Sequence, residues 1–121
     1  MRSIVVSDAI TADLGPYTPK PTSIAGDPIA GVQREATLRA WTSADGRTAA
    51  GVWECTPGTF TAVRDGYHEV CQILAGRATV VGADGTRQEV GPGDTLIMPE
   101  GWRGEWHVHE TVRKTYVTTR L

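Results

Sequence analysis

Few side chains in this 121-residue sequence can do chemistry, and their spacing says more than their number. In YHEVCQI, residues 67–73, Tyr67, Glu69, Cys71 and Ile73 alternate with His68, Val70 and Gln72. Alternate residues of a strand share a face, so Tyr67, Glu69 and Cys71 point one way and His68 the other. A carboxyl group turned inward among aromatic and apolar neighbours is a candidate general acid or base. A thiol beside it needs an inward His to become a nucleophile, and none is placed to serve Cys71, which reads better as a small buried apolar residue. His107 and His109 form a His-x-His pair, a spacing with which a strand can hold zinc; the competing reading is two exposed surface histidines. In ETVRKTYV, residues 110–117, Lys114 and Tyr116 share one face, and Arg113 shares the other with Thr115 and Val117.

The elements that must position these groups are strands. ATLRAWTS and TAAGVWEC flank Asp45-Gly46, and ATVVG and TRQEV flank Asp84-Gly85, each a tight-hairpin pair between β-branched or alternating residues. Further breaks fall at Pro57-Gly58, Gly76, Gly91-Pro92-Gly93 and Pro99-Glu100-Gly101. Short strands with turn signals every 8–12 residues or so predict a β-sandwich or barrel over residues 36–121. Residues 1–35 differ: after an expected edge strand, Ser3–Val6, the stretch LGPYTPKPTSIAGDP holds four of the seven prolines and predicts an irregular surface arm. GVQREATLRA has some helical character but is short, and no segment sustains a helical period.

Composition fits one domain with its own core: 40% hydrophobic, 21% charged, and a formal charge of −2. The basic residues are scattered, without a stripe or interleaved aromatics, so nucleic acid is not an expected partner. MRSIVVSDAI is too short for a membrane span and lacks the pattern of a secretory signal. Cys55 and Cys71 are not a CxxC pair and fit reduced thiols. A cytoplasmic protein without a membrane partner is expected.

From Trp53 to Tyr116 the chain resembles the single-domain cupins, small jelly-roll barrels. GVWECTPGTF (51–60), YHEVCQILAGRATV (67–80), GPGDTLIMPEGWRGEW (91–106) and ETVRKTYV (110–117) carry the resemblance. They are most similar to the subgroup that includes (S)-ureidoglycine aminohydrolase relatives. The second cupin motif is Gly-x5-Pro-x-Gly-x2-His-x3-Asn; Gly93, Pro99 and Gly101 fit, but Gly104 stands at the histidine. The first motif, His-x-His-x3–4-Glu-x6-Gly, keeps Glu69 and Gly76 but no histidine. Its pair falls at Ala62 and Arg64, or at Val63 and Asp65. Of four usual ligand positions only Glu69 remains, and one carboxylate does not make a transition-metal site. No cofactor is expected, with a divalent metal on rearranged histidines as the alternative.

The resemblance also sets directions. With Gly104 inward, Trp106 and Val108 point inward and His107 and His109 outward, unless a bulge reverses the parity. The implied pocket has Tyr67, Glu69, Cys71, Trp106, Trp102 and Tyr116 in its walls, Arg64 as a fixed cation in place of a ligand His, and Lys114 as the inward cation. A buried Lys facing a buried Glu stabilises both charges, and desolvation can tune either for proton transfer. The expected function is therefore a small-molecule pocket, read as a metal-independent hydrolase or isomerase of a ureido, amino or carboxylate metabolite, with Glu69 and Lys114 as catalytic residues. The alternatives are a non-catalytic ligand-binding module, a metal-dependent ureidoglycine aminohydrolase-like enzyme, and a dimerisation domain whose barrel is filled by side chains. A homodimer with the arm crossing to its partner is expected from the family.

Overall fold

The computed structural model describes residues 1–121 and contains nine strands. In chain order they are β1 (Thr18–Pro19), β2 (Ser23–Gly26), β3 (Arg34–Thr42), β4 (Thr48–Cys55), β5 (Gly58–Val63), β6 (Tyr67–Gly82), β7 (Arg87–Val90), β8 (Thr95–Met98) and β9 (Arg103–Arg120). The all-β expectation is met, and every pairing is antiparallel. The helical character read in GVQREATLRA gives way to β3, whose pairing with β4 satisfies its backbone groups. No helix is long and apolar enough to cross a membrane.

Two long strands organise the sheet. Val112 to Thr119 of β9 pair with β4, and Arg113 to Thr119 among them also pair with the first half of β6. Its first part, Arg103 to Val108, lies between β5 and the second half of β6. Both strands change direction together near Gly76, where the register shifts. A Cβ on Gly76 would come within 2.0 Å of the Thr111 carbonyl oxygen, so only glycine permits this close crossing. The sheet also curls at its far side. Its path runs β1-β3-β4-β9-β5-β2, and the terminal strands β1 and β2 are joined by only three residues. So short a link spans on the order of 14 Å, which draws the two ends together into a barrel-like wall. A 14-residue apolar cluster, with Trp53, Phe60, Met98 and Trp106 among its members, fills the interior.

Residues 1–17 pack on the outside of this wall. Ser3–Val6 forms no strand, contrary to the sequence expectation, because it crosses the outer face instead of lying along an edge; Val6 and Leu14 pack with Ala36 and Val52. Arg113 ties the segment down. Its Nε donates to Glu54 Oε1 at 3.0 Å, and its Nη1 donates to the carbonyls of Ala9 and Ala12 at 2.9 Å each. Farther along the same outer face, Ile97, Val70, Val117, Ala50 and Trp41 stand side by side in register across β8, β6, β9, β4 and β3.

Arg113 is buried, and its ion pair and two carbonyl bonds have no substitute. Arg113→Met is expected to cost about 3 kcal/mol in urea denaturation and to speed amide exchange in residues 8–14 selectively. Unchanged protection there would contradict this anchoring.

Candidate functional site

Three neighbouring rows of inward-facing positions underlie a cavity at the mouth of the barrel. Across β3, β4, β9 and β6 the first row reads Thr37, Trp53, Lys114, Ile73, and the second Arg39, Gly51, Tyr116, Cys71. The third pairs Thr118 with Glu69 and Met98. Arg64, just past β5, and Tyr67, at the start of β6, close one side. The volume of this open cavity is about 220 Å³.

Glu69 lies at the centre of the charges. Lys114 Nζ donates to its Oε2 at 2.5 Å, and the Cys71 thiol donates to the same oxygen at 2.9 Å. Arg64 Nε stands 3.4 Å from Oε1. That N–H is not aimed at the carboxylate, so the contact is Coulombic and the Nε hydrogen lacks an acceptor. Burial is the largest single influence on Glu69 and would raise its pKa. The combined attraction of Lys114 and Arg64, with hydrogen bonds from Cys71 and Lys114, outweighs it and holds the carboxyl below its ordinary value. Glu69 is therefore ionised at neutral pH. The same neighbourhood disables the thiol: burial pushes Cys71 up to about 12, with Lys114 opposing and the Glu69 carboxylate adding to the rise.

Lys114 is held from its other side by aromatic faces. Its ammonium lies 4.5 Å from the Trp53 ring centroid and 4.7 Å from that of Trp106. The Trp53 indole N–H donates to Glu35 Oε1 at 2.9 Å, and Lys20 holds Glu35 by an ion pair of 3.0 Å. Tyr67 accepts from Arg64 Nη1 at 3.5 Å and donates to the Val63 carbonyl at 3.3 Å. Tyr116 reaches over Gly51, where a Cβ would lie 2.9 Å from its hydroxyl and 2.0 Å from the Leu38 carbonyl oxygen. That hydroxyl is buried without a partner.

Glu69, Lys114, Arg64, Tyr67 and Tyr116, all singled out in the sequence, thus line one cavity. Trp106, Trp102 and Cys71 do not. Trp106 is fully buried beneath it, stacked on Phe60 and edge-on to Trp53. Cys71 lies under the floor as a partner of Glu69. Trp53, Thr37, Arg39 and Thr118 join the lining although the sequence did not single them out for it. The alternation Thr37-x-Arg39 in ATLRAWTS was the available signal for two of them.

The residues do not fit the metal that a cupin barrel implies. Ala62 pairs directly with Gly104, and Arg64 faces Glu69, which selects Ala62 and Arg64 as the counterparts of the missing histidine pair. A Cβ at Gly104 would fall 2.8 Å from the Trp102 ring and 2.2 Å from the Val81 carbonyl oxygen. Indole therefore fills the space where a ligand side chain would stand. His68 accepts from the Glu100 amide at 2.9 Å, His107 bonds Glu105 at 2.8 Å, and His109 bonds Thr79 at 2.7 Å. Nowhere do three His, Cys, Asp or Glu side chains converge in a way that could hold a metal ion.

A curled antiparallel barrel with one carboxylate and several cations at its mouth defines a cupin whose cavity is organic instead of metallic in lining. Residues 42–116 match the EutQ-like cupin domain, and the chain belongs to that family. Its fold is similar to that of the EutQ protein of Clostridium difficile, with 22% identity and a TM-score of 0.63 over 73% of this chain and 64% of that one. A DUF861-family protein of unknown function from Pseudomonas syringae pv. tomato is 25% identical, with a TM-score of 0.68 over 88% of this chain and 45% of that one. A DUF861-family protein from Thermotoga maritima is 35% identical over 54% of this chain and 73% of its own, with a TM-score of 0.51. The chain thus spans less than two thirds of the first two proteins. No curated protein matches it.

A carboxyl held below its ordinary value of 4.5 contributes stability above that value and loses it as pH falls through the lowered one. Urea midpoints should therefore drop below about pH 4.5, and the Glu69→Gln, Lys114→Met double variant should flatten that part of the profile. Glu69→Gln alone, which leaves Lys114 buried and unpaired, is expected to cost about 3–5 kcal/mol, with the double variant costing less than the sum. An acid profile identical in both proteins would contradict the assignment.

Proposed function

We propose that this chain binds a small polar metabolite in the cavity above Glu69 and Lys114, and that the site works without a resident metal ion. The observation that carries the reading is the placement of Lys114 and Arg64 against Glu69 in an open, partly aromatic cavity. Ureido, amino and carboxylate groups all find complementary partners among its hydroxyls, cations and carboxylate. A ureidoglycine aminohydrolase-like reaction on a metal would need ligands that Ala62, Arg64 and Gly104 do not supply.

Binding ranks above catalysis because an ionised Glu69 between two cations is a weak base and carries no proton to give. One contact favours a second reading, hydrolysis or isomerisation. Lys114 reaches Glu69 from the wall of the cavity. A ligand that draws Lys114 to itself would strip the carboxylate of its main partner and raise its basicity, leaving Glu69 as base and Lys114 as acid.

The test is indole NMR against a panel of small carboxylates, amines and ureido compounds. Trp53 lines the cavity and Trp41 lies on the outer face, so the second is an internal control. At least one compound class should shift the Trp53 indole signal saturably and leave Trp41 in place, with Lys114→Met weakening the response at least tenfold. A panel that leaves Trp53 unmoved throughout would contradict a ligand site. Chemical change of a bound compound, lost in Glu69→Gln, would promote the second reading over the first.

A further inference from the structure

Charge in the cavity does not balance. Arg39, Arg64 and Lys114 line it with positive charge, and Glu69 supplies the one negative charge, an excess of three minus one, or two. The carboxylate is already shared between Lys114 and Arg64. Arg39, at the open rim of β3, lines the cavity with no carboxylate but Glu69 beside it, and Glu69 pairs elsewhere. Like charges gathered where water is partly excluded repel one another more than they do in bulk solvent.

Two donors on residues of the cavity lining are left over as well. Arg64 Nε and the Tyr116 hydroxyl are buried with no hydrogen-bond partner, on residues that are each only 9% exposed. A buried donor without an acceptor costs about 1–3 kcal/mol. An anion remedies both defects, since it brings negative charge and lone pairs together. A neutral amide supplies only the lone pairs, and an ammonium supplies neither.

The two unsatisfied centres stand apart. Arg64 comes from the turn after β5, beside Tyr67 and Glu69. Tyr116 leans over Gly51 toward β3, into the row that ends at Arg39. The Glu69–Lys114 pair and Trp53 line the same cavity. A volume of 220 Å³ is about seven water molecules' share of liquid, enough for a chain of a few carbons with a polar group at each end.

We propose that the ligand is a small dicarboxylate, with one carboxylate on Arg64 and the other on Arg39 and Tyr116. The inference rests on the reading of this cavity as a ligand site and names the chemistry of its occupant. Arg64 discriminates carboxylates from amides, and Arg39 discriminates two carboxylates from one. Arg39 is exposed at the rim and outside the buried cluster, so Arg39→Gln removes a charge and leaves the fold intact.

Titration calorimetry at constant ionic strength with succinate, acetate and the neutral isostere succinamide tests this. Succinate should bind at least tenfold more tightly than acetate or succinamide. Arg39→Gln should bring succinate to within about threefold of acetate measured on the same variant. Succinamide equal to succinate, acetate equal to succinate, or a preference that survives Arg39→Gln would each overturn the dicarboxylate. So would failure of all three probes while another compound still shifts the Trp53 indole, an outcome that leaves the ligand site standing. If no compound of any class shifts Trp53, the ligand site itself falls, and the dicarboxylate with it.

Discussion

Glu69 carries a negative charge into the barrel, and the arrangement around it follows from the need to compensate that charge. Taking one carboxylate out of water costs several kcal/mol, which a single well-placed cation only partly offsets. Two are supplied here, from opposite sides: Lys114 on β9 and Arg64 beyond β5. Lys114 then has its own desolvation to offset, and the faces of Trp53 and Trp106 do so. Trp53 is fixed by Glu35, and Glu35 by Lys20 from the link between β1 and β2. One buried charge thus reaches, contact by contact, from the centre of the sheet to the strand link that closes it.

The same requirement accounts for the unusual residues at the ligand positions of the fold. A cupin metal would offer Glu69 a concentrated positive centre. Arg64 offers a delocalised one from the position of the second histidine of the first motif, and Lys114 offers another from the facing strand. Once the cations are side chains, the remaining ligand positions carry no charge to hold. Ala62 and Gly104 sit opposite each other as the smallest pair available, and Trp102 occupies the room they leave. The absent histidines, the indole beside Gly104 and the inward Arg64 are together consistent with a cavity charged by side chains.

Much of this was legible in the sequence because strand alternation is strict. Parity about Glu69 and Gly104 placed Tyr67, Cys71 and Trp106 inward and all three histidines on the other face, the resemblance added Lys114 with Tyr116 on its face, and the register shifts between β6 and β9 leave Trp106 and Lys114 on the same side of β9. Spacing alone left two candidates for the missing histidine pair; the Ala62–Gly104 pairing chose between them. Depth was not legible. Parity says which way Trp106 and Cys71 point but not that Phe60 and Trp53 cover one and Glu69 the other. Nor could it show that Trp53 pairs with Lys114, because the register between β4 and β9 depends on the fold of the 60 residues between them. The sign of the Glu69 shift was likewise hidden, since burial and two cations pull in opposite directions and only their distances decide.

The claim that side-chain cations stand in for a metal is tested most directly by metal content. Untagged protein, incubated with manganese, iron, nickel and zinc salts and then desalted, should hold well under one equivalent of any of them by elemental analysis. One full equivalent, retained in the wild-type protein and lost in Glu69→Gln, would contradict it.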